Sequence, residues 1–303
     1  MNAVELLDVT KTFGDRIAVD ALSLTVPAGT VYGFIGPNGS GKTTTLRMIM
    51  RIVHPDRGKI AVLGRDTFEA ANDRVGYLPE ERGLYRQMKV RELLRFYAEL
   101  KGCRDTGPAI DAWLTRFDLA AWAEKKVQAL SKGMAQKVQF IATVIARPQL
   151  VLLDEPFSGL DPVNAEVLRE AVLGLKREGT TVIFSTHDMA VAEQLCDFIF
   201  MIYQGRKVLD GTLETIQETH GSDTVRVRLD GAEVHWESLP GVAASRNLGR
   251  CQEIRLCRDA DPQQLLATLL ERGKVQLFEL ARPSLHDIFV RIARPREEGN
   301  ERA

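Results

Sequence analysis

Gly36-Pro37-Asn38-Gly39-Ser40-Gly41-Lys42-Thr43 reads G-x-x-x-x-G-K-T. At this spacing the glycines let the backbone turn tightly and bring N–H groups against phosphate oxygens. Ahead of it, Thr30–Ile35 (TVYGFI) is an apolar run short enough for a buried strand. Behind it, Leu46, Ile49, Met50 and Val53 fall on a helical stripe. Strand, glycine loop and helix form the context that a phosphate-binding loop needs. The helix opening near Lys42 aims its positive end at the same anion. Lys42 is expected to reach the β- and γ-phosphates, and the Thr43 hydroxyl to ligate Mg2+.

The chain around this loop has 303 residues, room for about two domains. At 45% hydrophobic and 27% charged residues, it has the composition of a globular protein with a substantial core. A net charge of −1 gives no bulk attraction to nucleic acid. Cys103, Cys196, Cys251 and Cys257 form no C-x-x-C pair, which argues against a zinc ribbon and for reduced cytosolic thiols. The start, MNAVELLDVTKTF, lacks the basic and apolar regions of a secretory signal. Apolar runs such as Phe198–Tyr203 fall far short of the ~18 residues of a membrane span. If the protein serves a membrane, another chain supplies the membrane part.

In chain order, Val4–Val9 and Ile17–Val26 read as strands flanking a turn at Phe13-Gly14-Asp15-Arg16. Phe13 is open between a core aromatic and a flat face for an adenine ring. Lys59–Leu63 and Arg74–Leu78 are further strands, and residues 83–147 then carry three helical stripes, an insert between strands of an α/β sheet. Leu150–Leu153 is a continuous apolar run, as in a strand buried on both faces, and it ends in Asp154-Glu155. At the carboxyl edge of a sheet Asp154 can hold Mg2+, directly or through water, and Glu155 can orient or deprotonate an attacking water. Asp161-Pro162 suits an N-cap and first helical position. The strand Thr181–Phe184 delivers His187 to the same edge, a candidate γ-phosphate sensor. Glu214–Asp223 reads as a polar linker with one helical turn. Beyond it, strands at Thr224–Leu229, Val242–Asn247, Glu253–Cys257 and Val275–Leu280 accompany helices at Pro262–Arg272 and Ser284–Ala293. Leu265, Leu266, Leu269 and Leu270 form the apolar face expected to cover that sheet. The charged tail is expected to be disordered.

With these motifs in order, residues 3–215 resemble the ATP-binding cassette of ABC transporters. Gly36–Thr43 corresponds to Walker A, and Leu150–Glu155 to Walker B with its catalytic glutamate. Phe13 corresponds to the adenine-stacking aromatic, Ser158–Asp161 to the D-loop and His187 to the switch histidine. Leu130-Ser131-Lys132-Gly133-Met134 occupies the place of the LSGGQ signature. The resemblance implies an α/β P-loop NTPase cassette with a helical subdomain at about 83–147, and a small C-terminal α+β domain at 223–293. Residues 216–222 would form the linker and 294–303 the disordered tail. It implies that Gly36, Asn38, Gly39, Ser40, Gly41, Lys42, Thr43 and Thr44 bind ATP phosphates, and that Glu155 and His187 are catalytic. Ser131, Lys132 and Gly133 would meet the partner's ATP, Asp161 would cross to the partner, and Thr43, Asp154 and Glu80 would serve the metal.

Three positions depart from the family pattern, among them Met134, which stands where the signature has glutamine. Glu80 stands where a glutamine is usual, which adds charge beside a phosphate. Lys132 replaces a signature glycine and either adds positive charge near phosphate or points to solvent. LPEERGLY, LSKG and Pro283-Ser284-Leu285-His286-Asp287-Ile288-Phe289 resemble the subgroup serving drug, sodium and antibiotic export. The implied function is a cytosolic, membrane-peripheral ATPase subunit that pairs as a homodimer or with a paralogous cassette. A separate permease would dock near Glu80–Tyr85, with no nucleic acid expected. The alternative is a soluble cassette ATPase acting on nucleic acid or ribosomes. Relatives of that kind carry tandem cassettes, zinc modules or long coiled-coil insertions. A phosphate-loop GTPase is disfavoured by the lack of N-K-x-D. The C-terminal domain is open between bracing the dimer and binding a regulator.

Overall fold

The structure, a computed structural model, describes residues 1–65, 74–81, 83–220, 224–231, 234–257 and 260–293. The expected disordered tail and residues 221–223 of the expected linker lie outside the described residues. The chain divides into two compact units, Met1–Leu213 and Glu214–Ala303.

The first unit begins with β1 (Asn2–Phe13) and β2 (Arg16–Pro27), an antiparallel hairpin that β4 (Arg57–Val62) extends on the β1 side. Between them come β3 (Val31–Ile35) and α1 (Lys42–Ile49). β5 (Val75–Leu78) leads into the helical insert, with α2 (Val90–Leu100), α3 (Gly107–Arg116) and α4 (Lys132–Val144). β6 (Leu150–Asp154), α5 (Pro162–Arg177), β7 (Thr181–Thr186), α6 (Met189–Leu195), β8 (Phe198–Tyr203) and β9 (Arg206–Gly211) complete it.

The main sheet runs β5-β6-β7-β3-β8-β9, parallel except for β9. Its central strands β3, β6 and β7 are buried at every position because both faces are covered. On β6, Leu150 and Leu152 join a core with β1, β2, β4 and α1, while Val151 and Leu153 join the core of the helical insert and α5. This is the period-two alternation of a strand, with a hydrophobic layer on each side. Each such side chain stabilises the fold by about 1.5–3 kcal/mol relative to exposure. The parallel order brings the carboxyl ends of β3, β6 and β7 together at one edge, where ligands bind in open α/β sheets.

α1 is shorter than the apolar stripe through Val53 predicts. It stops at Ile49 because Arg51 takes a left-handed φ of 55°, and the N–H groups of Arg51 and Ile52 bond back to Met48 and Arg47 carbonyls. A left-handed cap on a non-glycine residue leaves no mark in the sequence.

In the second unit, α7 (Leu213–Thr219) is a longer helix than the single turn expected there. β10 (Thr224–Gly231), β11 (Val242–Asn247), β12 (Gln252–Leu256) and β13 (Gly273–Ala281) form an antiparallel sheet ordered β11-β12-β10-β13. α8 (Pro262–Arg272) packs Leu265 and Leu269 against Val225, Val227, Ile254 and Leu256. Leu270, expected on this covering face, is instead 61% exposed. It follows Leu269 by one residue, about 100° around the helix, so it falls off the buried stripe. α9 (Leu285–Ala293) closes the unit, with Ser284 and Asp287 bonded reciprocally at its start.

Candidate active site

A cleft of about 500 Å³ lies along the carboxyl edge of the main sheet. The β1–β2 hairpin supplies Phe13, Arg16 and Ala18. The loop after β3 and the start of α1 supply Asn38, Gly39, Gly41, Lys42, Thr43 and Thr44. Glu80 and Glu155 face them from the ends of β5 and β6.

The loop is drawn so tight that two glycines are obligatory. Gly36 has φ of 156°, and a Cβ there would come 2.2 Å from the Ile202 carbonyl oxygen. Gly41 has φ of 114°, and a Cβ would come 2.6 Å from the Ala18 carbonyl oxygen. Ser40 belongs to the same turn and is buried. Lys42 curls back over the loop, donating from Nζ to the Gly36 carbonyl at 2.7 Å and the Pro37 carbonyl at 3.2 Å. Its Nζ is also 3.5 Å from Glu155 Oε1.

Asp154 and Glu155 are both buried at the end of β6. Asp154 Oδ1 accepts from Thr43 Oγ1 at 3.1 Å and from Ser185 Oγ at 2.6 Å. Among the described residues, Asp154 Oδ2 is buried without a hydrogen-bond partner. Glu155 has a left-handed φ of 49°. A non-glycine residue held this way costs on the order of 1–3 kcal/mol, and the sharp turn swings the carboxylate off the strand toward the cleft. Glu155 Oε2 lies 3.0 Å from His187 Nδ1. With Glu155 as carboxylate, Nδ1 is the donor. The His187 side chain is 56% exposed, so its ring can turn toward an incoming ligand.

Phe13, left open by the sequence, is 49% exposed and lines the cleft, so it is no core aromatic. Ser131, Lys132 and Gly133 do not line it. They open α4, where the Ser131 hydroxyl caps the helix by accepting from Met134 N–H. Lys132 Nζ lies 3.3 Å from where a Cβ on Gly159 would sit, so it turns toward the Ser158–Asp161 loop. Asp161 caps α5, and hydrogen bonds from Asn164 hold its carboxyl below the usual range. Two buried amides tie α4 to the sheet edge. Gln136 Nε2 donates to the Pro156 carbonyl at 3.2 Å, and Gln139 Nε2 reaches the Pro79 and Glu81 carbonyls at 3.4 and 3.5 Å.

Ser185 is the residue that the sequence reading misses. Its buried hydroxyl donates to Asp154 and accepts from the Glu155 N–H at 2.9 Å, locking the two acids together. The signal available was its position, two residues before His187 at the end of an apolar strand. Ser185→Ala leaves both groups underbonded inside the protein. It is expected to cost about 1–3 kcal/mol in chemical denaturation and to slow turnover. Unchanged stability would show that water replaces the hydroxyl.

Comparison with known proteins agrees with this geometry. Residues 19–158 match the family profile described as "ABC transporter", and residues 211–293 match "ATP-binding protein DrrA1-3-like, C-terminal domain". The chain is 42% identical to "Uncharacterized ABC transporter ATP-binding protein YhaQ" of Bacillus subtilis (strain 168), over 93% of this chain and 95% of that one. It is 35% identical to "Nod factor export ATP-binding protein I" of Sinorhizobium fredii (strain NBRC 101917 / NGR234), over 96% of this chain and 85% of that one. Among solved structures, an "ATP binding subunit of ABC transporter" aligns with a TM-score of 0.68 and 30% identity, over 72% of this chain and 92% of that one. The cbiO1 subunit of Clostridium perfringens aligns at 22% identity with a TM-score of 0.62, over 72% of this chain and 94% of that one, a likeness of fold alone. Likeness along nearly the whole length of both the chain and its relatives therefore places it in the ABC transporter family as an ATP-binding subunit, an ATPase cassette followed by a DrrA-like C-terminal domain.

Proposed function

We propose that the chain hydrolyses ATP to drive export through a separate membrane permease, with Glu155 as the base. The observation that carries this reading is the pairing, at one sheet edge, of the buried Glu155 carboxylate just after β6 with Lys42 of the glycine loop. Phosphates entering the cleft draw Lys42 toward them and free Glu155 to take a proton from water. The water oxygen then bonds to the γ-phosphorus, the bond to the β-phosphate oxygen breaks, and ADP leaves. His187 holds Glu155 in place and is suited to meet the γ-phosphate. The donor set around Thr43 and the unpartnered Asp154 Oδ2 fits Mg2+, a hard cation that takes oxygen ligands, with Glu80 on the same rim. When bound, the ion neutralises charge on the transferring phosphate.

ABC transporter ATPases pair with one another and with a permease. Here the cleft lacks Ser131 and Gly133, which favours an arrangement in which a second copy, or a paralogous cassette, closes it with its own signature. Among the described residues no helix is long and apolar enough to cross a membrane; in this reading the permease holds the subunit at the inner face. An apolar cavity of about 390 Å³, lined by Tyr77, Pro79, Leu84, Tyr97 and Leu100, supports docking of a permease helix near Glu80–Tyr85. Export, rather than import, rests on the relatives whose names specify export.

The test is copurification with a polytopic membrane protein encoded beside this chain, followed by ATPase assay in proteoliposomes. Stimulation by that protein is expected. Turnover that ignores it and rises with ribosomes or RNA would favour the soluble alternative. Glu80→Gln is expected to leave ATP binding intact while shifting the Mg2+ dependence and permease-stimulated rate. If neither moves, Glu80 is only a loop carboxylate.

A further inference from the structure

The two walls of the cleft come from parts of the chain that are distant in sequence, and one side chain joins them. Arg16 Nη2 donates to the Gly39 carbonyl at 3.0 Å. Arg16 is also the residue paired with Phe13 across the end of the hairpin, with only Gly14 and Asp15 between them. Fixing Arg16 therefore fixes the ring opposite. The other side of the tip is pinned as well. Asp56 accepts from the Thr12 N–H at 2.7 Å and from Lys11 Nζ at 2.8 Å, and Lys11 Nζ sits 5.4 Å from the Phe13 ring centre. Asp56 ties the tip to β4, which bears no phosphate-loop residue. Among the described residues, Arg16 is the side chain through which the tip bonds to the loop itself.

We propose that Arg16 is a positioning residue that sets the distance between the face of Phe13 and the phosphate cradle. The proposal rests on the reading of this cleft as the nucleotide site. A nucleotide binds as one ligand when both ends of the site are already spaced to receive it. A hairpin free to drift must be ordered on binding, and that entropy is lost from affinity. The loss falls only on ligands that reach both ends. Inorganic triphosphate touches the loop alone and is indifferent to where Phe13 stands. The guanidinium suits this task because its planar fork is already organised, whereas a lysine offers a flexible point charge.

The experiment is an equilibrium titration of the full-length protein with ATP and with inorganic triphosphate, each with Mg2+. The quantity read is the ratio of the two dissociation constants. Arg16→Ala is expected to cut the preference for ATP roughly threefold to tenfold and to leave triphosphate affinity unchanged. Arg16→Lys should recover part of the preference. Phe13→Ala should also cut it, and adding Arg16→Ala to that variant should change nothing further. Equal weakening of ATP and triphosphate would overturn the proposal and make Arg16 a phosphate ligand. An unchanged preference would overturn it and leave Arg16 a surface contact. A wild-type protein that binds triphosphate as tightly as ATP would overturn the nucleotide reading itself, before any variant is compared. Because Arg16 is exposed, circular dichroism of the variants should match that of the parent.

Discussion

Glu155→Gln is expected to lower ATP turnover about 100- to 10,000-fold, the usual contribution of a positioned general base. The substitution keeps the shape of the side chain. The amide can still meet His187, and the left-handed backbone at this position is indifferent to the change. What disappears is the ability to take a proton from water. Asp154, bonded to Thr43 and Ser185, is untouched, so ATP and its metal should still bind. With the nucleotide retained and not hydrolysed, a dimer should accumulate in saturating ATP and be visible by size-exclusion chromatography with light scattering. Turnover near that of the parent would remove Glu155 from the role of base.

Lys42→Ala is expected to weaken nucleotide binding roughly 10- to 150-fold, the worth of one or two charge-assisted hydrogen bonds. Lys42 is 5% exposed and already folded over the loop, so its ammonium needs little reorganisation to reach a phosphate. Its loss also leaves Glu155 buried without the cation 3.5 Å away. The variant should therefore lose stability along with affinity. Titration with a fluorescent ATP analogue, compared with chemical denaturation of the same sample, separates the two effects. Unchanged affinity would mean that the glycine loop is not where nucleotide binds.

The framework was legible because its strands are buried on both faces. Such strands are mostly apolar up to their carboxyl ends, so TVYGFI and LVLLD stand out and place the loop and the acids at a shared edge. Phe13 had to be left open because exposure is a property of the folded hairpin. Ser185 and Arg16 were not legible, since each acts through a side-chain bond to a residue at least 23 positions away. Serine on a strand and arginine after a turn are ordinary until the partner is known. Lys132 illustrates the same limit, because the sequence shows its charge but not that the side chain turns toward Gly159.

The two amides on α4 have a mechanical consequence. Gln136 and Gln139 are nearly one turn apart, and they grip the chain after β6 and the chain after β5 respectively. Hydrogen bonds already at 3.2 to 3.5 Å have little slack before they cease to be bonds. A push on the Glu80 segment therefore has two outcomes: it drags the rigid rod of α4 along, or it lets go of it. In the first case Ser131, at the far tip of the rod, advances or retreats with the push. In the second, the rod stays with Pro156 and the acids. On the reading proposed above, in which the permease docks near Glu80–Tyr85 and Ser131 meets a second cassette, the helix works as a clutch between those two places, engaged or released by two glutamines.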